Sequence, residues 1–244
     1  MIAVRWGSAT HAGRVRPTNE DRSHAKPPVF VLADGMGGHA AGEVASQLAV
    51  DEFRRLTEPL KSADVRAAVD RANAAILDAA KHSESYRGMG TTLVALILVT
   101  ESGKDRLLGV NLGDSRLYRC RAGALEQLSV DHSQAQELVQ AGVITADERG
   151  THPLSNVLTR ALGHGSNPQA DYWLLDPAPG DRFLLCSDGL TAELPDHRIR
   201  TVLSGSEGPD AAAAELVRLA VQAGGRDNVT TVVVDVAREA RAPY

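Results

Sequence analysis

The order in which apolar segments follow one another constrains this 244-residue chain more than any other feature. Short, β-branched runs at 29–33, 92–99, 107–111, 117–121, 172–175, 183–186 and 229–236 have the length and make-up of buried strands. Two helical patterns stand back to back between the first two runs. One covers about 42–56, with Val44, Leu48 and Phe53 near one face. The other covers about 62–81, where Val65, Val69, Ala72, Ile76 and Ala79 recur at steps of four and three. A third pattern, 210–223, opens on Asp210 as its expected cap and turns Leu216, Val217 and Ala220 inward. Consecutive strands and a separate helix pair are not the strand–helix–strand alternation of a parallel doubly wound sheet. They predict an α+β layered domain of largely antiparallel sheets with helices packed outside. The segment 130–155 is mostly polar, with a short helix expected at 134–140 and a stop at Gly142, and reads as an excursion from the sheet. With no linker, repeat or low-complexity run, residues 1–244 are expected to form one domain.

Composition removes several classes of function. The balance of 26 Lys+Arg against 31 Asp+Glu leaves a formal charge of −5 with no basic block, which argues against nucleic acid as a partner. Cys120 and Cys186 are too few for a disulfide framework and have no Cys-x-x-Cys or His-x-x-x-His spacing for zinc. The longest apolar stretch, 93–99, is too short to span a bilayer, and the N-terminus lacks a signal-peptide core. The expectation is a soluble, cytoplasmic monomer with no membrane or nucleic-acid partner.

The informative feature is where aspartates fall. Asp34 ends the run 30–33, Asp114 follows 110–113, Asp188 follows 183–187, and Asp227 stands just ahead of 229–236. Any one Asp-Gly after a strand is an ordinary turn signal. Four together place several carboxylates at one rim of the sheets. Such carboxylates raise one another's pKa and are costly to bury unless a cation joins them. Oxygen ligands without His or Cys select a hard cation, Mg²⁺ or Mn²⁺, over zinc. Gly35, with no side chain, leaves its backbone carbonyl accessible as a further ligand.

Residues 13–21 add a second element. Arg16 precedes the acidic pair Glu20-Asp21 by four and five positions, and its planar fork suits a phosphate while the acids attend to a nearby cation or its waters. Taken alone, this is equally a surface turn with a solvated ion pair; beside a carboxylate metal site it points to phosphate-ester chemistry. The stretch 34–42 superficially matches a dinucleotide-binding loop. Asp34 would then oppose the pyrophosphate, and the next helix leads to another helix instead of a parallel strand. Ser187 lacks the G-x-S-x-G context of a nucleophile. His132 and His152 read as loop or capping residues, Cys186 as a core thiol and Arg160 as structural.

These motifs resemble the type-2C, metal-dependent Ser/Thr protein phosphatases in their compact bacterial form. The matching segments are 15–21, 33–39, Gly88-Met89-Gly90-Thr91-Thr92, 113–116, 156–163, 187–189 and Asp227-Asn228, in the family's order and spanning about 9–236. The resemblance implies a four-layer α/β/β/α sandwich with metals at one rim. It implies that Asp34 bridges two metals, that the Gly35 carbonyl ligates one, and that Asp188 and Asp227 complete the other. Asp114 and Asp188 would form a third, weaker site, so two or three Mn²⁺ or Mg²⁺ ions are expected. Glu20 and Asp21 would act through metal-bound waters, Arg16 would hold the substrate phosphate, and 130–155 would be a flap. A hydroxide shared by two metals roughly 3.5–4 Å apart would attack phosphorus in line, opposing a cognate Ser/Thr kinase on phosphorylated proteins. The animal members carry His directly after the Asp-Gly; this chain has Met36, so the proton donor to the leaving alkoxide is unassigned between a water and His39. The competing reading is a catalytically inactive member that binds phosphoproteins as a regulatory module. Such a relative is expected to lose a metal aspartate or Arg16, and all are present.

Overall fold

The computed structural model describes residues 2–37 and 40–237, with the backbone alone at Ala40. Two sheets, every pairing antiparallel, lie face to face. The first has the order β1 (Val4–His11), β11 (Val229–Val236), β10 (Arg182–Cys186), β7 (Arg116–Arg121), β8 (Ala124–Gln127). The second has the order β2 (Asp21–Lys26), β3 (Val29–Met36), β5 (Leu93–Glu101), β6 (Lys104–Leu112), β9 (Asp171–Leu175), and the short β4 (Gly90–Thr91) pairs with the end of β3. Helices α1 (Ala40–Arg54) and α2 (Ser62–His82) cover the second sheet. Helices α4 (Asp188–Thr191), α5 (Asp196–Gly205) and α6 (Pro209–Ala223) cover the first. The excursion holds α3 (Gln134–Gln140) and a 3₁₀ turn, Arg149–Thr151.

Four layers require three apolar seams, and the strands supply them by their period of two. In β3, Val29, Val31 and Ala33 face the helices, while Phe30 and Leu32 face the other sheet. In β11, Val229 and Val233 meet α6, while Val232, Val234 and Val236 fill the gap between sheets. Strands buried on both faces read as continuous apolar runs, so these were visible in the sequence. Strands β1, β2 and β8 lie at sheet edges with largely exposed or half-buried side chains, and their sequences show no such run. Two further details depart from expectation. Helix α6 is capped by Gly208 and begins at Pro209, so Asp210 sits inside its first turn. Helix α5, unforeseen, buries only Ile199 and Leu203, one turn apart.

Candidate active site

The sheets end together at one rim, and the four aspartates gather there around a cleft of about 820 Å³. Asp34 lies near the end of β3, opposite Asp21 of β2. The Asp34-Gly35 dipeptide is therefore not a turn: β3 runs through it to Met36. A Cβ at Gly35 would collide with the Gly42 carbonyl oxygen of α1, so this close approach of strand and helix demands glycine. Asp34 is held from both sides of its peptide unit. Its N–H donates to Thr92 Oγ1 at 3.0 Å, and its carbonyl accepts from Thr91 Oγ1 at 2.8 Å. Thr92 Oγ1 also meets Ser115 Oγ at 2.8 Å, which ties Asp34 to the turn carrying Asp114.

Asp188 and Asp227 come from the first sheet. Asp188 opens α4 behind its cap, Ser187. The Ser187 hydroxyl donates to Asp21 Oδ2 at 2.8 Å and accepts the Thr230 N–H at 3.0 Å, so one buried serine links both sheets beneath the cleft. Asn228, just after Asp227, fastens the 12–20 loop: its amide donates to Ala12 O and Thr18 O at 3.0 and 2.8 Å, and its carbonyl accepts the Glu20 N–H at 2.8 Å. That loop carries Arg16, whose guanidinium donates to Asp227 Oδ2 at 2.7 Å at the cleft edge.

Electrostatics show what this convergence costs. Burial, then the charges of Asp21, Asp188 and Asp114, push the Asp34 carboxyl well above the usual range. Asp114 is likewise well above it, through burial and then Asp188 and Asp131. Burial and Asp227 raise Asp188. Asp21, 3% exposed, is pushed up to about 7 chiefly by burial, and its Oδ1 is buried without a hydrogen-bond partner. Asp34, Gly35, Asp114, Asp188, Asp227 and Glu20 all line the cleft, whereas Asp21 lies beneath its floor.

The donors suit a hard divalent cation: the acidic groups offer only oxygen, several are destabilised by one another, and one buried oxygen is orphaned. Among the described residues, no three acidic, His or Cys side chains close into one compact cage.

The opposite wall was not legible as part of the site. Asn156 to Ala161 and His164 line it, and Arg160, expected to be structural, faces the cleft while pairing with Asp171 at 3.2 Å. Asn73 of α2 anchors that wall, accepting the Gly163 N–H at 2.8 Å and donating to Gly165 O at 2.9 Å. Met36 lines the cleft with no proton to give, and His39 lies outside the described residues. Cys186 is buried, its thiol pushed up to about 12 by burial, as befits a core thiol.

A cleft of this kind at the rim of an α/β/β/α sandwich accords with the comparison to known families. The protein phosphatase 2C family model matches residues 15–221, and the chain belongs to that family. Among relatives, the serine/threonine protein phosphatase PstP of Mycobacterium tuberculosis is 40% identical over 242 residues, covering 96% of this chain. The chain spans only 45% of the length of PstP. The serine/threonine phosphatase stp of Listeria welshimeri is 35% identical, with 93% of each chain covered. The solved structure of the PstP catalytic domain in complex with two manganese ions superimposes with a TM-score of 0.86 at 38% identity, covering 98% of this chain and all of that one.

Proposed function

We propose that this chain is a catalytic domain that hydrolyses phosphoserine and phosphothreonine in proteins with the help of Mn²⁺ or Mg²⁺. The observation that carries the reading is the convergence of Asp34, Asp114, Asp188 and Asp227 on one cleft beside Arg16. Asp34, the Gly35 carbonyl, Asp188 and Asp227 would hold two ions, Asp114 with Asp188 a third, with Glu20 and Asp21 acting through water. Such ions supply an activated water and neutralise charge on the phosphoryl oxygens. Arg16 keeps N–H groups beyond the one on Asp227 and meets the phosphate from the solvent side, stabilising charge that grows on its oxygens. Thr91 and Thr92 fix the Asp34 backbone and Ser187 the Asp21 carboxylate before substrate arrives, so little reorganisation remains for the reaction itself.

The excursion 130–155 acts as a flap within one domain. Two buried, unpaired thiols fit a reducing, cytoplasmic setting, and among the described residues no helix is long and apolar enough to cross a membrane. The natural counterpart is a Ser/Thr kinase, the class of enzyme that makes the phosphoester, and the domain acts as a monomer. The test is release of phosphate from a phosphothreonine peptide with Mn²⁺ or EDTA, comparing the wild type with Asp188→Ala. Release that needs the metal and is lost in the variant supports the reading. No release by folded protein under any divalent metal overturns it in favour of a phosphoprotein-binding module.

A further inference from the structure

The turn that carries Asp114 and the wall that carries Arg160 meet at one buried imidazole. His132 stands at the root of the excursion and is 6% exposed. Its Nδ1 accepts the Gly113 N–H at 3.1 Å, and its own backbone N–H donates to Gly113 O at 2.9 Å. Asn111 Nδ2 adds bonds to Gly113 O at 3.2 Å and Val130 O at 3.1 Å, so the residue before Asp114 is fastened on both sides. On the far side of the ring, Nε2 lies 3.1 Å from Asp171 Oδ2, while Asp171 Oδ1 accepts from Arg160 at 3.2 Å. The backbone follows the same path: Thr159 N–H donates to His132 O at 2.9 Å, and Ser133 bridges to Leu158.

The bonds dictate the ring's state. Because Nδ1 accepts, the proton of the neutral ring is on Nε2, which has Asp171 Oδ2 as its acceptor at 3.1 Å and Arg160 NH1 beside it at 3.3 Å. Burial holds the imidazole below its usual pKa, in keeping with a neutral ring. A core-filling side chain would need neither bond. This one makes two, in opposite directions, one to the residue before Asp114 and one to the partner of Arg160, and Asp114 and Arg160 both line the cleft.

We propose that His132 is a positioning residue with two separable roles: Nδ1 holds the Gly113-Asp114 turn in shape for a divalent cation, and Nε2 holds Asp171, and with it Arg160, on the substrate side. The inference rests on the phosphatase reading for what the cleft binds, and its metal arm can be measured without turnover. Asparagine and glutamine separate the roles, because an Asn carbonyl can take the place of Nδ1 and a Gln amide the place of Nε2.

The experiment compares wild type, His132→Asn and His132→Gln by calorimetric titration with Mn²⁺ and by kcat and KM on a phosphothreonine peptide at saturating Mn²⁺, with thermal melts alongside. His132→Gln is expected to weaken the weakest Mn²⁺ step by about 10- to 100-fold, the usual cost of losing a partner behind a ligand, with KM near wild type. His132→Asn is expected to keep Mn²⁺ binding and raise KM about 10-fold, with no added effect in an Arg160→Ala background. Asp171→Ala leaves the imidazole in place at a half-exposed position and must reproduce the Asn pattern. The proposal is overturned if both His132 variants lose metal affinity and KM together in proportion to their melting temperatures, if neither changes, or if Asp171→Ala departs from the Asn pattern. A wild type that binds Mn²⁺ but releases no phosphate overturns the phosphatase reading instead, and the calorimetric comparison still decides the role of Nδ1.

Discussion

Asp21→Asn should stabilise the metal-free protein. The Asp21 carboxyl has a folded-state pKa of about 7 against 3.8 in the unfolded chain, mainly because it is buried beside other acids. An acid whose pKa is raised by folding holds its proton more tightly in the folded state, so its ionisation subtracts stability as pH rises from about 4 to 7. The difference of about 3 pKa units corresponds to about 4 kcal/mol above pH 7, all of which asparagine escapes. The amide can still accept the Ser187 hydroxyl, but its N–H₂ falls where Asp21 Oδ1 has no partner, returning about 1–3 kcal/mol. The net gain at pH 8 is about 1–3 kcal/mol, or roughly 2–12 °C in Tm for a chain of this size. Thermal melts of both proteins in EDTA at pH 8 and pH 5 provide the assay. The variant's advantage must shrink as pH falls below 7, and Mn²⁺ must narrow it by stabilising the wild type. A variant no more stable than wild type at pH 8, or an advantage indifferent to pH, would refute the account of Asp21 as a buried, destabilised acid.

Thr92→Val keeps the shape of the side chain but leaves the Asp34 N–H and Ser115 hydroxyl without their shared partner. It should cost about 1–3 kcal/mol in urea unfolding and lower kcat, with the peptide KM little changed. Asp131→Ala removes the carboxylate gripped by Arg116 through Nε and NH2, which is itself mostly buried. The expected loss is about 3–5 kcal/mol in the same assay. Arg16→Ala should reduce kcat/KM on phosphopeptide by about 100- to 1,000-fold while leaving calorimetric Mn²⁺ binding intact.

Much of the architecture was legible because both faces of β3, β5, β10 and β11 are buried, so runs such as 92–99 stay apolar without interruption. The edge strand β2, Asp-Arg-Ser-His-Ala-Lys, is a strand because β3 offers hydrogen bonds, and nothing in its own residues announces that. Helix α5 has two buried contacts, too few to raise a periodic signal above its polar residues. At the site, aspartates stood out because carboxylates at the mouths of apolar strands are costly. Thr92, Ser187 and Asn228, which hold the loops and carboxylates in place, left no mark: Ser, Thr and Asn are common in turns, and their role depends on distances across the two sheets. Arg160 makes the ion pair with Asp171 that a structural residue would, and only the folded wall shows that it also lines the cleft.

The pairing of β1 with β11 makes one of the longest-range demands on folding. Among the described residues, strand β1 has β11 as its sole sheet neighbour, in register from Val4 with Val236 to His11 with Val229. Strand β1 therefore cannot pair until β11 is available, and Asp227 stands only two residues ahead of β11. A nascent chain that already carries Arg16, Asp34, Asp114 and Asp188 still lacks the carboxylate that pairs with Arg16 and the strand that anchors its own beginning. Contacts so distant in sequence fold slowly. Until β11 is in place, the cleft has neither its Asp227–Arg16 pair nor the neighbour that anchors β1.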